Sequence, residues 1–452
     1  MQSRRHNSNA SNENQSAIGI MLLFSVFAIF ATFGLHGMTD AQYSMLVSEN
    51  LLRHHSFVID ERSIPRLKPF AHPGYQANGY PYQMHVSQGN VLYWYPVGSS
   101  VLSIPFVGLM NIVGISAQTP DGGYNEAGEG IIQGTLAALL MAILTVIFFR
   151  TALLLLPLSW SVVLALGGAF STQIWSAASR ALWSHTWEIL LLGLAIYMLL
   201  AQEERHVRGR PIVLATLLSW AYFVRPTSSI PIMAISAYML IFRRKEFAAL
   251  AITGAAWLVL FVAYSWKVWG QALPEYYLFH LSSEHLWEAL AGDLISPSRG
   301  LFVYVPGSAF ALLVVGYYWR MLLHRPLAVL SLCVITVHIF MVSMDPNWWG
   351  GHCYGARMTT DVIPWFFLLA ILGSRCLLYE RRPRLKHFAV AFGLLTLVVG
   401  AAMNGRGALS QSANDWVNGP PEDVDQKPSR VWDWSHPQFL SELQYLERRL
   451  SS

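Results

Sequence analysis

The chain has 452 residues, 54% of them hydrophobic and only 12% charged, with a net charge of +4. Soluble domains carry roughly a quarter charged residues, so an ordinary soluble domain is excluded, and the small, dispersed positive charge excludes a polybasic nucleic-acid binder. Three cysteines without metal-ligand spacing exclude a disulfide framework or a zinc site.

The chain starts with the polar stretch MQSRRHNSNASNENQSA, residues 1–17, which is expected to be disordered and cytoplasmic. Eleven apolar segments then have membrane-helix character, at about 18–36, 131–150, 159–175, 186–202, 211–225, 228–242, 247–268, 301–319, 326–344, 361–378 and 387–403. The first has no small-residue cleavage site after it and is read as a retained helix. Segments five and six are short, are separated by RPTSS, and can form one broken hairpin. The fold class is therefore an all-α polytopic membrane protein with about eleven transmembrane helices.

Basic residues orient these spans. With Arg4 and Arg5 inside, the inner connections are EERHVRGR (203–210), RRKE (243–246), RMLLHR (320–325) and ERRPRLK (380–386), each of them basic, as the positive-inside rule requires. The outer side then receives a first loop, 36–130, a second loop, 270–300, and a tail, 404–452. A multi-pass cell-membrane protein with a cytoplasmic N-terminus and an extracytoplasmic tail is expected.

In the first outer loop, Asp40 precedes AQYSMLVSENLLRHH, whose apolar Tyr43, Leu46, Val47, Leu51 and Leu52 have helical spacing. An interfacial amphipathic helix is expected there. Asp40 suits the N-cap of a helix beginning at Ala41. It equally suits a membrane-boundary general base. A second interfacial or re-entrant helix is expected in YWYPVGSSVLSIPFVGLMNIVG (93–114), which opens on aromatics and contains Pro96 and Pro105. The Gly/Pro/Tyr-rich stretch between the two, 72–90, reads as loop with a short hairpin.

Four arginines interrupt the charge pattern: Arg180, Arg225, Arg299 and Arg357 lie at outer helix mouths. Isolated cations there mark ligand or ion pathways, and the guanidinium fork suits phosphate. Each can instead reach lipid headgroups or pair with a nearby acid such as Glu188 or Asp361. His185, five residues after Arg180, is at least as well explained as structural. EDVDQ (422–426) has an acidic pair at metal-binding spacing but sits in a Pro-rich polar tail and reads as a solvated run. The fifteen histidines form no tetrahedral set, so no metal and no cofactor are expected. After Pro437 the tail has helical apolar spacing, at Phe439, Leu440, Leu443, Leu446 and Leu450, with Trp432 and Trp434 as interfacial anchors.

One span, a long outer loop with two interfacial helices, then many spans: this order resembles the GT-C superfamily of integral-membrane glycosyltransferases. The nearest pattern is that of the protein O-mannosyltransferase and lipid A aminoarabinose transferase group. The matching pieces are MTDAQYSMLVSENLLRHHSFVID (38–60), VLYWYPVGSSVLSIPF (91–106), SPSRGLFVY (296–304) and WWGGHCYGARMTTDVIPWF (348–366), within residues 18–403. The resemblance implies a GT-C-like fold whose two interfacial helices are the jaws. It implies transfer of a sugar from a polyprenyl-phosphate carrier to a glycan, lipid or protein hydroxyl on the outer face, by an inverting, metal-independent reaction. Asp40 would then be the base. Arg299 and Arg357 would hold the donor phosphate, followed by Arg225 and Arg180, with Lys68 as a first-loop alternative. The family has an acidic pair after the first span where Ala41 follows Asp40 here, leaving Glu49 or Asp60 as the second acid. A transporter or flippase of a polyprenyl-linked amphiphile is the alternative from another class, but the chain has no evident internal repeat of the kind transporters carry. A non-catalytic scaffold of the same fold is a third.

Overall fold

The computed structural model describes residues 2–32, 38–60, 80–206, 209–278, 281–419 and 422–441, with side chains from residue 13 onward. In chain order the elements are α1 (Gln2–Ala31), α2 (Ser44–His54), β1 (Met84–Ser87), β2 (Asn90–Tyr93), α3 (Gly98–Ile112), α4 (Glu126–Ala152), α5 (Leu158–Phe170), α6 (Ser184–Arg205), α7 (Pro211–Val224) and α8 (Ser229–Phe242). There follow α9 (Arg244–Trp269), α10 (Leu286–Ile295), α11 (Leu301–Tyr304), α12 (Pro306–Tyr317), α13 (Arg325–Ser343), α14 (Ile363–Leu378), α15 (Pro383–Leu409) and α16 (Gln411–Asp415).

Among the described residues, seven helices are long and apolar enough to cross a membrane: Glu13–Ala31, α4, α6, α9, α13, Arg357–Leu378 and α15. Apolar segments 159–175, 211–225, 228–242 and 301–319 fall on α5, α7, α8 and α12, which are shorter. A helix of 13 residues such as α5 spans about 20 Å, less than the roughly 30 Å hydrocarbon layer. The surface has the matching character. On α9, Ile252, Leu258, Val259, Leu260 and Trp266 all face outward, an arrangement that water does not tolerate and acyl chains do. This is the build of an all-α membrane protein.

α4 forms much of the interior, with α1, α5 and α6 packed around it. Asn125 starts it by accepting the Gly128 N–H at 3.1 Å, and Glu126 and Glu129 occupy its positive first turn. α14 is the other central helix: Trp365 is fully buried, and Phe367 stacks on Phe148 of α4 with ring centroids 3.9 Å apart.

The first long loop keeps its expected parts. α2 and α3 pack on each other, and between them β1 pairs antiparallel with β2, Met84 opposite Tyr93. Gln88 and Gly89 at the turn both have positive φ, 51° and 77°, the backbone of a two-residue hairpin turn. Gly98 opens α3 where a Cβ would lie 2.4 Å from the Phe223 carbonyl group, so only glycine lets α3 approach the end of α7.

Three expectations change. The N-terminal stretch 2–17 is helical as part of α1; with no proline and no glycine before Gly19, nothing in it breaks the helix. α2 starts at Ser44, not Ala41, so Asp40 is not its cap. The tail stretch around EDVDQ, expected as a solvated run, packs on the protein: residues 411–419 and 422–432 fold back, and Trp416, Val417, Val424 and Val431 form a small core with Trp348 and Ala289 of α10. The expected helix after Pro437 opens on a 3-10 turn, Gln438–Leu440, and its remainder, 442–450, lies outside the described residues, as does Lys68.

Candidate active site

The cap assigned to Asp40 comes from α4. Glu129 accepts the backbone N–H of Tyr43 at 3.0 Å and of Met45 at 2.8 Å, taking the first amides of α2 that lack helical partners. Tyr43 turns the chain through a positive φ of 70°. Gln133, one turn along α4, donates to the Ala41 carbonyl and to Glu129. Residues 41–45 are thus tied to α4, and the Asp40 side chain is left to face a cavity.

That cavity, about 790 Å³, is at the end of the bundle where α1, α7, α9 and α13 finish and α4, α6 and the segment before α14 begin. Asp40, Tyr95, Trp183, His185, Arg225 and Arg357 are on its wall, beside apolar Leu278, Leu281, Met341 and Val342. The basic connections 203–206 and 209–210, 243–246, 320–325 and 380–386 are at the opposite ends of the same helices.

Asp40 is the centre of one half. Its Oδ1 accepts from the Tyr95 hydroxyl at 3.0 Å, its Oδ2 from Arg357 Nη1 at 3.1 Å, and its backbone carbonyl from Tyr93 at 2.6 Å. Burial, and next the Asp40 carboxylate, push the Tyr95 phenol far above its ordinary value. Tyr95 therefore stays an O–H donor. The Arg357 guanidinium lies 4.1 Å from the Trp183 ring centroid, a cation–π contact, and its Nη2 donates to Gly350 at 3.0 Å. Its Nε is buried with no hydrogen-bond partner among the described residues. Gly350, Gly351 and Gly355 all have positive φ, and this backbone turns the Gly350 carbonyl onto Arg357.

Arg225 anchors the other half. It precedes Pro226, which drives its backbone out of the helical region to φ −154°. Its Nε donates to Asp361 Oδ2 at 2.6 Å and lies 3.4 Å from Glu188, and its Nη1 donates to Ser184 at 2.9 Å. Asp361 also accepts from Thr227 at 3.3 Å and from His185 Nδ1, with His338 Nε2 at 3.5 Å. The pairing of an arginine with Glu188 and Asp361, expected as one alternative, holds for Arg225.

The remaining candidates are placed elsewhere. Arg299 is 2% exposed and is not on the cavity wall. It donates to the carbonyls of Trp349, Ser298 and Gly351 and to the Gln438 side chain, so its guanidinium is occupied by the protein itself, away from the cavity. Arg180, 3% exposed, is turned inward to the Phe30 carbonyl and Ser179; it is also off the wall. Glu49 is fully buried, accepting from Ala117 N–H at 2.7 Å and the Ser116 hydroxyl at 2.8 Å, which makes it a tie between α2 and the approach to α4, not a second acid. Asp60 is exposed and not on the wall. EDVDQ is not a solvated run: His352 meets Asp423 at 3.0 Å and Asp425 at 3.6 Å, and Trp349 donates to Asp425.

Among the described residues, His185, Glu188 and Asp361, and separately His352, Asp423 and Asp425, bring three metal-ligating atoms within 4.8 Å of one another. The first group already contains the Arg225 cation, which occupies the charge a metal would take. Tyr95, Trp183 and Thr227 were not anticipated. The aromatic run YWYP signalled Tyr95 only as an interfacial residue, and nothing local marks the other two. No protein-family model matches this chain, and no curated protein sequence matches it.

Proposed function

We propose that the chain is an inverting, metal-independent membrane glycosyltransferase of GT-C-like architecture that moves a sugar from a polyprenyl-phosphate carrier to an acceptor hydroxyl. In this reading α5, α7, α8 and α12 join the seven longer helices as eleven spans, α2 and α3 are the jaws, and the cavity faces the extracytoplasmic side of the cell membrane. The acceptor, a glycan, lipid or protein, offers an oxygen that attacks the anomeric carbon. The bond from that carbon to the phosphate oxygen breaks, and the electron pair leaves on the phosphate.

The observation that carries the reading is the placing of Asp40 and two arginines on one cavity wall that also has an apolar side. Asp40 engages the acceptor hydroxyl. Arg357 and Arg225 retain guanidinium N–H groups that no hydrogen bond among the described residues uses, and these suit a phosphate ester. Leu278, Leu281, Met341 and Val342 suit the first isoprene units.

The test is Asp40→Asn in purified protein, assayed for release of free polyprenyl phosphate from a set of polyprenyl-phosphate sugars. A fall of about 10²-fold or more is expected, the usual cost of a misplaced attacking group. Full activity in folded Asp40→Asn protein removes Asp40 from the mechanism. A flippase would move the carrier between leaflets of a proteoliposome without releasing free polyprenyl phosphate, so the same product separates the two classes.

A further inference from the structure

The Asp40 carboxylate already has a partner on each oxygen, a cation 3.1 Å from Oδ2 and a phenol 3.0 Å from Oδ1. The second half of the cavity contains a group with an unpartnered basic atom. His185 opens α6, and its ring forms part of the cavity wall although it is only 2% exposed. Its Nδ1 is bonded to Asp361 Oδ1. A carboxylate oxygen only accepts, so Nδ1 carries the hydrogen, and in the neutral ring Nε2 holds the lone pair. Nε2 has no hydrogen-bond partner among the described residues.

Asp361 is held for this task. Arg225 and Thr227 fix its other oxygen, which leaves Oδ1 for His185. Around the ring stand Asp361 and Arg357 from the segment before α14, Arg225 from the end of α7, Glu188 one turn on in α6, and His338 of α13 across Asp361.

The geometry points to His185 as the proton acceptor of the cavity, with Asp361 as its positioning residue and Asp40 as the group that orients the acceptor hydroxyl. The assignment rests on the glycosyl-transfer reading for its reaction. The acceptor O–H bond breaks as the oxygen forms its bond to the anomeric carbon, the proton passes to Nε2, and the phosphate departs with the electron pair of the broken C–O bond. The imidazolium then releases its proton to solvent. The dyad thus takes the place of the acidic neighbour that Ala41 does not supply.

Two measurements test this, one of them independent of turnover. Solid-state ¹⁵N NMR of histidine-labelled full-length protein in lipid, with His185→Gln to assign the signal, is expected to show His185 at neutral pH as the Nδ1–H tautomer with an unprotonated Nε2. An Nε2–H tautomer, or a ring charged throughout pH 6–9, overturns the assignment. In the transfer assay, His185→Gln is expected to lower kcat by about 10²–10⁴-fold, to change the donor KM by no more than about twofold, and to remove the acid limb of the rate profile. Asp361→Asn is expected to move that limb to lower pH, because a carboxylate beside imidazolium favours the charged ring; a merely structural aspartate would lower the rate without moving the limb. An unchanged kcat and pH profile in folded His185→Gln protein also overturns the assignment. If the wild-type protein releases no polyprenyl phosphate from any donor, the transferase reading fails, and the tautomer still decides whether the cavity holds a basic imidazole.

Discussion

At the scale of single residues, sequence patterning picked out the charged groups at helix ends but did not rank them. Arg225, Arg299 and Arg357 look alike as isolated arginines at the mouths of apolar segments. What separates them is the supply of carbonyls around each, a tertiary property. Arg299 meets three backbone carbonyls and Gln438, whereas Arg357 meets one carbonyl and keeps Asp40 and the cavity. The two should fail differently on truncation. Arg299→Ala leaves several buried acceptors without donors, each costing about 1–3 kcal/mol. A clear drop in melting temperature is expected, together with faster proteolysis between residues 410 and 441. The rate per folded molecule should be unchanged. A large loss of donor affinity with intact stability would return Arg299 to the phosphate site. Asp40 shows the converse. Its local sequence suits a helix cap, and only the reach of Glu129 across 84 residues to Met45 shows that the cap is filled from elsewhere.

At the scale of elements, the periodicity of apolar residues was enough to find α2, α3 and, among the described residues, a helix on each apolar segment, because burial against protein or lipid leaves the same signature; it did not show that only seven of these helices are long enough to span. The fold-back of residues 411–419 and 422–432 was not legible, since its small core draws Ala289, Trp348 and Val424 from three distant segments. α10 carries a consequence of such packing. Asp293 is almost fully buried, with Ser343 donating to its Oδ2 at 2.8 Å, and burial lifts its carboxyl from 3.8 to about 8. Below about pH 3.8 both folded and unfolded chains hold this proton. Between about pH 3.8 and 8 the unfolded chain releases it and the folded one retains it, so stability falls as pH rises through that window. Above about 8 the folded state also ionises and the decline stops. Asp293→Asn keeps an oxygen for the Ser343 hydroxyl and cannot ionise. Its melting temperature is expected to decline less between pH 5 and 8 than the wild type's. Equal slopes in the two proteins would show that Asp293 is ionised in the folded chain at neutral pH.

At the scale of the whole molecule, the charge asymmetry and the cavity converge on one arrangement. Among the described residues, the basic connections lie at the end of the bundle away from Asp40, Arg225 and Arg357. Under the positive-inside rule the proposed topology turns the cavity to the extracytoplasmic side, where the proposed donor would have to be presented. Two exposed positions at opposite ends test this directly. Glu284 lies before α10 with its side chain 79% exposed, and Arg382 lies between α14 and α15 with its side chain 63% exposed. With Cys333, Cys353 and Cys376 replaced by serine or alanine, Glu284→Cys and Arg382→Cys each provide one thiol. A membrane-impermeant maleimide applied to intact cells is expected to label Glu284→Cys and to spare Arg382→Cys, which should react only after lysis. Equal labelling of both in intact cells would mean that the cells leak. The reverse pattern would turn the cavity to the cytoplasm, where the donor would have to be a sugar displayed on the inner leaflet, and the extracytoplasmic reaction would be excluded.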